Sequence, residues 1–245
     1  MPAEDWIAAD WPAPATVKTL LTTRSGGVSQ PPYASLNLGA HVGDAPDHVA
    51  ANRARLRDEL PAEPAWLNQV HGIAVVDAAA VGADAPDADA SFARAPGAVC
   101  AVMTADCLPL LLCDDAGGVV AAVHAGWRGL CDGVIEAAVA AIGAPPATLM
   151  AWLGPAIGPD AFEVGAEVRQ AFVERDAAAA AAFIDIDDGK YLADIYALAR
   201  LRLAGLGVDR VYGGDFCTVI DRDRFFSYRR DGVTGRMASL IWLED

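Results

Sequence analysis

Two histidines and one cysteine are the residues whose types point most directly to chemistry. The 245-residue chain holds four histidines, His41, His48, His71 and His124, and five cysteines, Cys100, Cys107, Cys113, Cys131 and Cys217. His71 lies in Asn68-Gln69-Val70-His71-Gly72, and His124 ends an apolar run that turns into Ala125-Gly126-Trp127-Arg128-Gly129. Cys107, in Thr104-Ala105-Asp106-Cys107-Leu108-Pro109, stands at a polar break between two apolar runs. Two neutral imidazoles and a thiolate suit zinc and leave its fourth position to water or substrate. The separations of 36 and then 17 residues form no compact metal motif. On spacing alone, a buried cysteine with two hydrogen-bonded histidines is the better account. Asp106 and Asp89 are candidates to hold the far nitrogen of a metal-bound imidazole, or simply a turn residue and a helix cap.

A second group of residues suits an anion. Asp221–Arg236 carries Arg222, Arg224, Arg229, Arg230 and Arg236 against three aspartates, so it is locally positive on a chain of net charge −15. Guanidinium forks take phosphate bidentately, and the interleaved Phe225, Phe226 and Tyr228 could stack on a base. Surface ion pairs account for the same pattern about as well. Arg53 and Arg24, the latter in a glycine-rich turn, extend the candidate list. The acidic net charge argues against nucleic acid and anionic lipid as partners. Thr22-Thr23-Arg24-Ser25-Gly26-Gly27 lacks the Walker lysine, no GxGxxG follows a strand, and no GxSxG elbow is present.

The elements that must position these residues read as a mixture. Strands are expected at Val17–Thr22, Trp66–Val70, Ile73–Asp77, Val99–Thr104, Leu108–Cys113, Val119–His124, Thr148–Leu153 and Val208–Tyr212. Helices are expected at Asp47–Leu60, Gly129–Ile142, Gly165–Glu174 and Tyr191–Leu206, and the composition of Ala177–Ala182 also favours helix. The turns between the three apolar runs of 99–124 predict antiparallel neighbours. This pattern suits an α/β or α+β class with a mixed sheet, and no linker divides the chain. The apolar runs are too short to span a bilayer. The acidic N-terminus, MPAEDWIAADW, does not read as a signal peptide. Five scattered cysteines do not suggest a disulfide framework, so a reducing cytoplasm is the expected setting.

Several segments together resemble one family. They are Thr22–Asp44 (TTRSGGVSQPPYASLNLGAHVGD), Asn68–Gly72 (NQVHG), Thr104–Leu112 (TADCLPLLL), Ala121–Leu130 (AAVHAGWRGL), Leu153–Gly165 (LGPAIGPDAFEVG), Gly214–Thr218 (GDFCT) and Phe225–Arg236 (FFSYRRDGVTGR). The chain is similar in these to the YfiH/laccase-domain family, purine nucleoside phosphorylases once called multicopper polyphenol oxidases. The resemblance implies one domain over residues 1–245, layered α/β/β/α, with mixed, largely antiparallel sheets. It implies one zinc per chain on His71, Cys107 and His124, with copper able to displace it. The implied activity is phosphorolysis of adenosine, inosine, guanosine and methylthioadenosine, with adenosine deamination as a side reaction. Arg53, with Arg229 or Arg236, is the expected phosphate holder and Arg24 a further candidate; Arg53 joins His71, Cys107 and His124 in the expected catalytic set. Substrate partners are then a nucleoside and phosphate, the protein being a monomer or homodimer. Two alternatives remain: a cysteine hydrolase in peptidoglycan editing, with Cys107 as nucleophile, and a copper-dependent polyphenol oxidase. A multicopper centre asks for far more histidines than four.

Overall fold

A strand made from Leu108–Asp114 is apolar at almost every position, so it must be covered on both faces. The computed structural model, which describes residues 6–245, meets that demand with two face-to-face sheets and helices outside each. Residues 1–5, part of the N-terminal segment read for a signal peptide, lie outside the described residues.

The larger sheet runs β12 (Arg210–Gly213), β8 (Leu149–Leu153), β6 (Leu108–Asp114), β7 (Val120–Ala125), β4 (Ala90–Ala93), β3 (Val75–Asp77). Its central pairs are antiparallel and its two outer pairs, β12 with β8 and β3 with β4, are parallel. The second sheet runs β1 (Val17–Leu21), β13 (Met237–Leu243), β5 (Val99–Thr104), β2 (Pro64–Ala65), and only its β2–β5 pair is parallel. A small antiparallel sheet is made of β10 (Phe183–Asp185), β11 (Lys190–Ala193) and β9 (Glu163–Gly165).

Side-chain alternation along each strand builds the layers. Leu111 and Cys113 of β6, Val120 and Ala122 of β7, and Met150 and Trp152 of β8 meet Cys100, Val102, Ile241 and Leu243 between the sheets. The intervening residues Leu108, Leu110, Leu112, Ala121 and Val123 turn the other way. They are covered by α2 (Trp127–Asp132), α3 (Val134–Ile142), α4 (Ala166–Arg175) and α5 (Ile195–Gly205), through Leu130, Ile135, Phe172 and Leu198. On the far side α1 (Pro46–Arg57) lays Leu56 against Ala101, Met103, Leu240 and Trp242. A short α6 (Tyr228–Asp231) precedes β13. Among the described residues no helix is long and apolar enough to cross a membrane.

Four expectations need correction. Val99–Thr104 and Leu108–Cys113 are not sheet neighbours: β5 pairs with β13, and the chain passes from one sheet to the other through Ala105-Asp106-Cys107, with Asp106 at φ 91°. Two strands apolar on both faces can each sit inside a sheet, and the partner of β5 comes from the far end of the sequence. Trp66–Val70 is not a strand, since β2 ends at Ala65 and Asn68 makes only an isolated bridge to Asp87. Gln69 instead pairs through its side chain, Nε2 donating to Met103 O (2.8 Å) and Oε1 accepting from Met103 N (2.7 Å). Tyr191–Leu206 begins as β11, and the helix starts only after Asp194, whose carboxylate caps Ala197 N. Gly129–Ile142 is two helices, because Gly133 sits at φ 109° between them. Ala177–Ala182 is helical but of the tighter 3₁₀ type, and β13 was not expected at all.

Gly133→Ala should lower unfolding stability by about 1–2 kcal/mol, the cost of holding an L-residue in that left-handed region. A Cβ there would meet Glu136 at an ordinary 3.6 Å, so the backbone and not a clash sets the loss. Urea unfolding of variant and parent measures it.

Candidate metal centre

Strand parity places the first functional side chain. Val120 and Ala122 face the space between the sheets, and His124, two residues on, faces the same way at the open end of that space. Its residue is only 3% exposed. Cys107 arrives at the same end on the crossover between β5 and β6. His71 comes from the loop after Gln69, at φ 60°.

Asp89, immediately before β4, holds this arrangement. Its Oδ1 accepts from His124 Nδ1 (2.8 Å) and His71 N (3.0 Å), and its Oδ2 accepts from Gly72 N (2.7 Å) and Val70 N (3.2 Å). One fully buried carboxylate therefore fixes both the loop that presents His71 and the ring of His124. The rings of His71 and His124 meet edge-on with centroids 4.9 Å apart, and Cys107 Sγ lies 3.8 Å from His71 Nε2. The three donor atoms all fall within 4.8 Å of one another. Tetrahedral zinc with ordinary bond lengths separates its donors by about 3.3–3.7 Å, so small side-chain shifts would bring this set onto one ion. Asp89 on Nδ1 turns the Nε2 lone pair of His124 toward the site, as metal-bound imidazoles require.

Electrostatics agree with a ligand thiolate. Burial pushes the Cys107 thiol up, but His124 and His71 outweigh it and hold the group at about 6. Burial lowers His124, while the Cys107 thiolate and Asp89 raise it to about 9. Burial also raises Asp89, and its bonds from His124, Gly72 and His71 bring it below the usual carboxylate range. The turn after His124 is cut to fit. A Cβ on Gly126 would stand 2.8 Å from His71 Cδ2 and 3.1 Å from Cys107 Sγ, so any side chain there displaces the donors.

The fourth side of the set opens on a cavity of about 360 Å³ lined by His71, His124, Gln69, Thr104, Arg236, Tyr228 and His41 among others. Of the arginines singled out from sequence, Arg236 alone lines it. Its Nη1 is tied to Thr234 O and Gly235 O (both 3.0 Å). Arg53 lies one layer behind, stacked 4.1 Å over Trp66, with Nε on Leu38 O and Nη2 at the sulfur of Met103, a cavity residue. Arg24 is spent on Ala34 O and Arg222 O, and Arg229 on Glu163 O with its ring partner Phe162; neither lines the cavity. Phe225 and Phe226 are fully buried and cannot receive a base, whereas Tyr228 is 60% exposed. Asp106 does not hold an imidazole: its carboxylate accepts from Thr218 Oγ1 (2.6 Å) and Arg229 N (2.7 Å), anchoring the Cys107 turn to α6. Gln69 and His41 were missed as site residues. The motifs NQVHG and LGAHVGD contain both, but nothing local to them signals a shared cavity.

Comparison with known proteins follows the same lines. Residues 18–244 match the family described as multi-copper polyphenol oxidoreductase laccase. A Shigella flexneri protein named purine nucleoside phosphorylase YfiH is 60% identical over 239 residues, 97% of this chain and 98% of the relative. A purine nucleoside phosphorylase of Pseudomonas aeruginosa is 57% identical over 98% of this chain and 99% of its own. Among solved structures, a Neisseria meningitidis protein superposes with a TM-score of 0.96 at 59% identity, covering 99% of this chain and all of the other. YlmD from Geobacillus stearothermophilus gives 0.89 at 29% identity, covering 100% and 98%.

Two outcomes follow from the site's geometry. Asp89→Asn, which replaces an acceptor oxygen by a donor, should release both histidines and lower metal affinity by about 10–100-fold; competition with a chelator reads this. In metal-free protein the Cys107 thiolate should persist down to about pH 6. Ultraviolet thiolate absorbance should show that transition in the parent and lose it in Cys107→Ala.

Proposed function

This chain belongs to the multi-copper polyphenol oxidoreductase laccase family, and from that premise we propose that it is a zinc-dependent purine nucleoside phosphorylase. The observation that carries this reading is the meeting, on one cavity, of a His/Cys/His donor set and a guanidinium with no carboxylate partner among the described residues. The cavity's volume suits a small ligand. The reading takes adenosine, inosine, guanosine and methylthioadenosine as substrates, with adenosine deamination as a side reaction. It takes residues 1–245 as one domain, a monomer or homodimer working in the cytoplasm.

In phosphorolysis a phosphate oxygen bonds to C1′ of the ribose while the C1′–N9 bond breaks. The purine leaves with the electron pair and takes up a proton. Arg236, anchored through Nη1 by the carbonyls of Thr234 and Gly235, presents its remaining edge to the phosphate. Arg53 adds positive potential from behind Met103. The exposed ring of Tyr228 offers a face for the purine, and the wall formed by Gln69, Met103 and Thr104 limits its position. Zinc on His71, Cys107 and His124, when bound, supplies a Lewis-acidic centre. Asp89 keeps its two imidazoles in register, and Gly126 keeps the space before them clear.

A cysteine hydrolase acting on peptidoglycan is the second reading, favoured by the thiolate–imidazolium pair of Cys107 and His124 with Asp89 behind it. That is the charge state of an activated nucleophile. The polyphenol oxidase reading is weaker. A blue-copper site alone takes two histidines and a cysteine, leaving His41 and His48, and His48 lies on α1 beside Asp44. Copper displacing zinc from the one set accounts for oxidase activity in copper-loaded protein.

Purified protein should carry one zinc per chain, lost in Cys107→Ala, and should form adenine from adenosine only with phosphate present. Metal analysis with product chromatography decides the matter; hydrolysis of an amide with nucleosides ignored would transfer the assignment to the cysteine hydrolase. Arg236→Ala should raise the phosphate KM about tenfold or more, the worth of a charge-assisted hydrogen bond; Arg53→Ala, which removes only a charge behind Met103, should raise it by less, with zinc content unchanged in both.

A further inference from the structure

Behind Arg236, three residues, Asn37-Leu38-Gly39, gather groups from distant parts of the chain. Asn37 is fully buried. Its Oδ1 accepts from both Gly39 N and Arg236 N (2.9 Å each), and its Nδ2 donates to Gly39 O (3.2 Å) and Asp44 Oδ2 (3.0 Å). Leu38 N donates to Arg236 O (3.2 Å), and Leu38 O accepts from Arg53 Nε (3.0 Å). Gly39 lies under the Arg236 side chain so closely that a Cβ would stand 2.8 Å from its Cγ. Two residues further, His41 reaches the cavity that Arg236 lines.

Neither Arg236 nor Arg53 forms an ion pair among the described residues, on a chain with 33 acidic side chains. Partly buried guanidiniums with no carboxylate in contact are costly and mark a place where an anion is expected; Cys107 and Asp106 act on Arg236, and Glu63 on Arg53, only through space. His41 differs from them in kind. Burial, Arg236 and Arg53 all lower its pKa, so at neutral pH the ring is uncharged, with one N–H donor and one acceptor nitrogen. Arginine can only donate.

We propose that His41 is a specificity-determining phosphate contact: Arg236, with Arg53 behind it, takes the anionic oxygens, and the acceptor nitrogen of His41 takes the P–OH of hydrogen phosphate. The ligand class is a tetrahedral oxyanion that carries a proton at neutral pH, as phosphate does and sulfate does not. This rests on the phosphorylase reading for its physiological ligand, but the binding itself does not require nucleoside chemistry.

The experiment is calorimetric titration of the zinc-loaded protein with inorganic phosphate and, separately, sulfate. The parent should prefer phosphate. His41→Ala should weaken phosphate about tenfold or more and sulfate far less, and His41→Gln, whose amide oxygen can accept, should recover part of the preference. Gly39→Ala, which crowds Arg236, should weaken both anions. No phosphate binding by the parent, unchanged phosphate binding in His41→Ala, or equal loss of both anions there would overturn the assignment. Selective phosphate binding without any nucleoside cleavage would keep it and remove the phosphorylase reading. Phosphorolysis by His41→Ala with the parent's phosphate KM would remove this inference alone.

Discussion

A carboxylate shut away from water is tolerated only when its lone pairs are all engaged, and Asp89 is in that condition. Its four hydrogen bonds come from three consecutive backbone amides and one imidazole. The burial cost is offset by donors that belong to the site itself, so the same interaction that makes Asp89 tolerable also places both histidines. The left-handed conformation of His71 is part of this bargain. Three successive amides can converge on one carboxylate only if the chain folds back sharply at that point.

From this joint the remaining requirements follow. Cys107 must reach His71 on its loop and His124 on β7 from the crossover between the two sheets, and the turn at Asp106 achieves this because its carboxylate is anchored by Thr218 and Arg229. Gly126 keeps clear the space in which the donor atoms meet. The donor set thus sits where two sheets part, apolar core on one side and a solvent-reaching cavity on the other. That setting strengthens the thiolate–imidazolium attraction relative to water and leaves one direction for a ligand to enter.

Much of this was legible in residue types. Alternating and continuous apolar runs located β1, β5, β6, β7 and β8 within a residue or two; residue chemistry made His71, Cys107 and His124 a candidate donor set, and the family resemblance, not spacing, favoured it over a buried cysteine with two hydrogen-bonded histidines. The misreadings share a cause. Gln69 pairs with Met103 by a side chain that mimics a strand, and periodicity does not register such a bond. The arginine cluster of 221–236 reads as one basic patch, yet Arg230 closes on Asp231, Thr218 and Val219, and Arg24 on Ala34. Arginines with five donors are as useful for satisfying stray carbonyls as for binding phosphate, and composition does not separate the two uses.

By itself the sequence determined the donor types, the apolar strands that need cover on both faces and, through its motifs, the family. Residue chemistry and local periodicity are written position by position. Tertiary structure alone decided which groups meet: β13 pairs with β5 across most of the chain, Arg236 comes to rest on Gly39, and Asp89 reaches both histidine segments. Those choices depend on long-range register and on which buried donors find which acceptors. Such terms exist only once the sheets have packed, and no window of the sequence contains both partners.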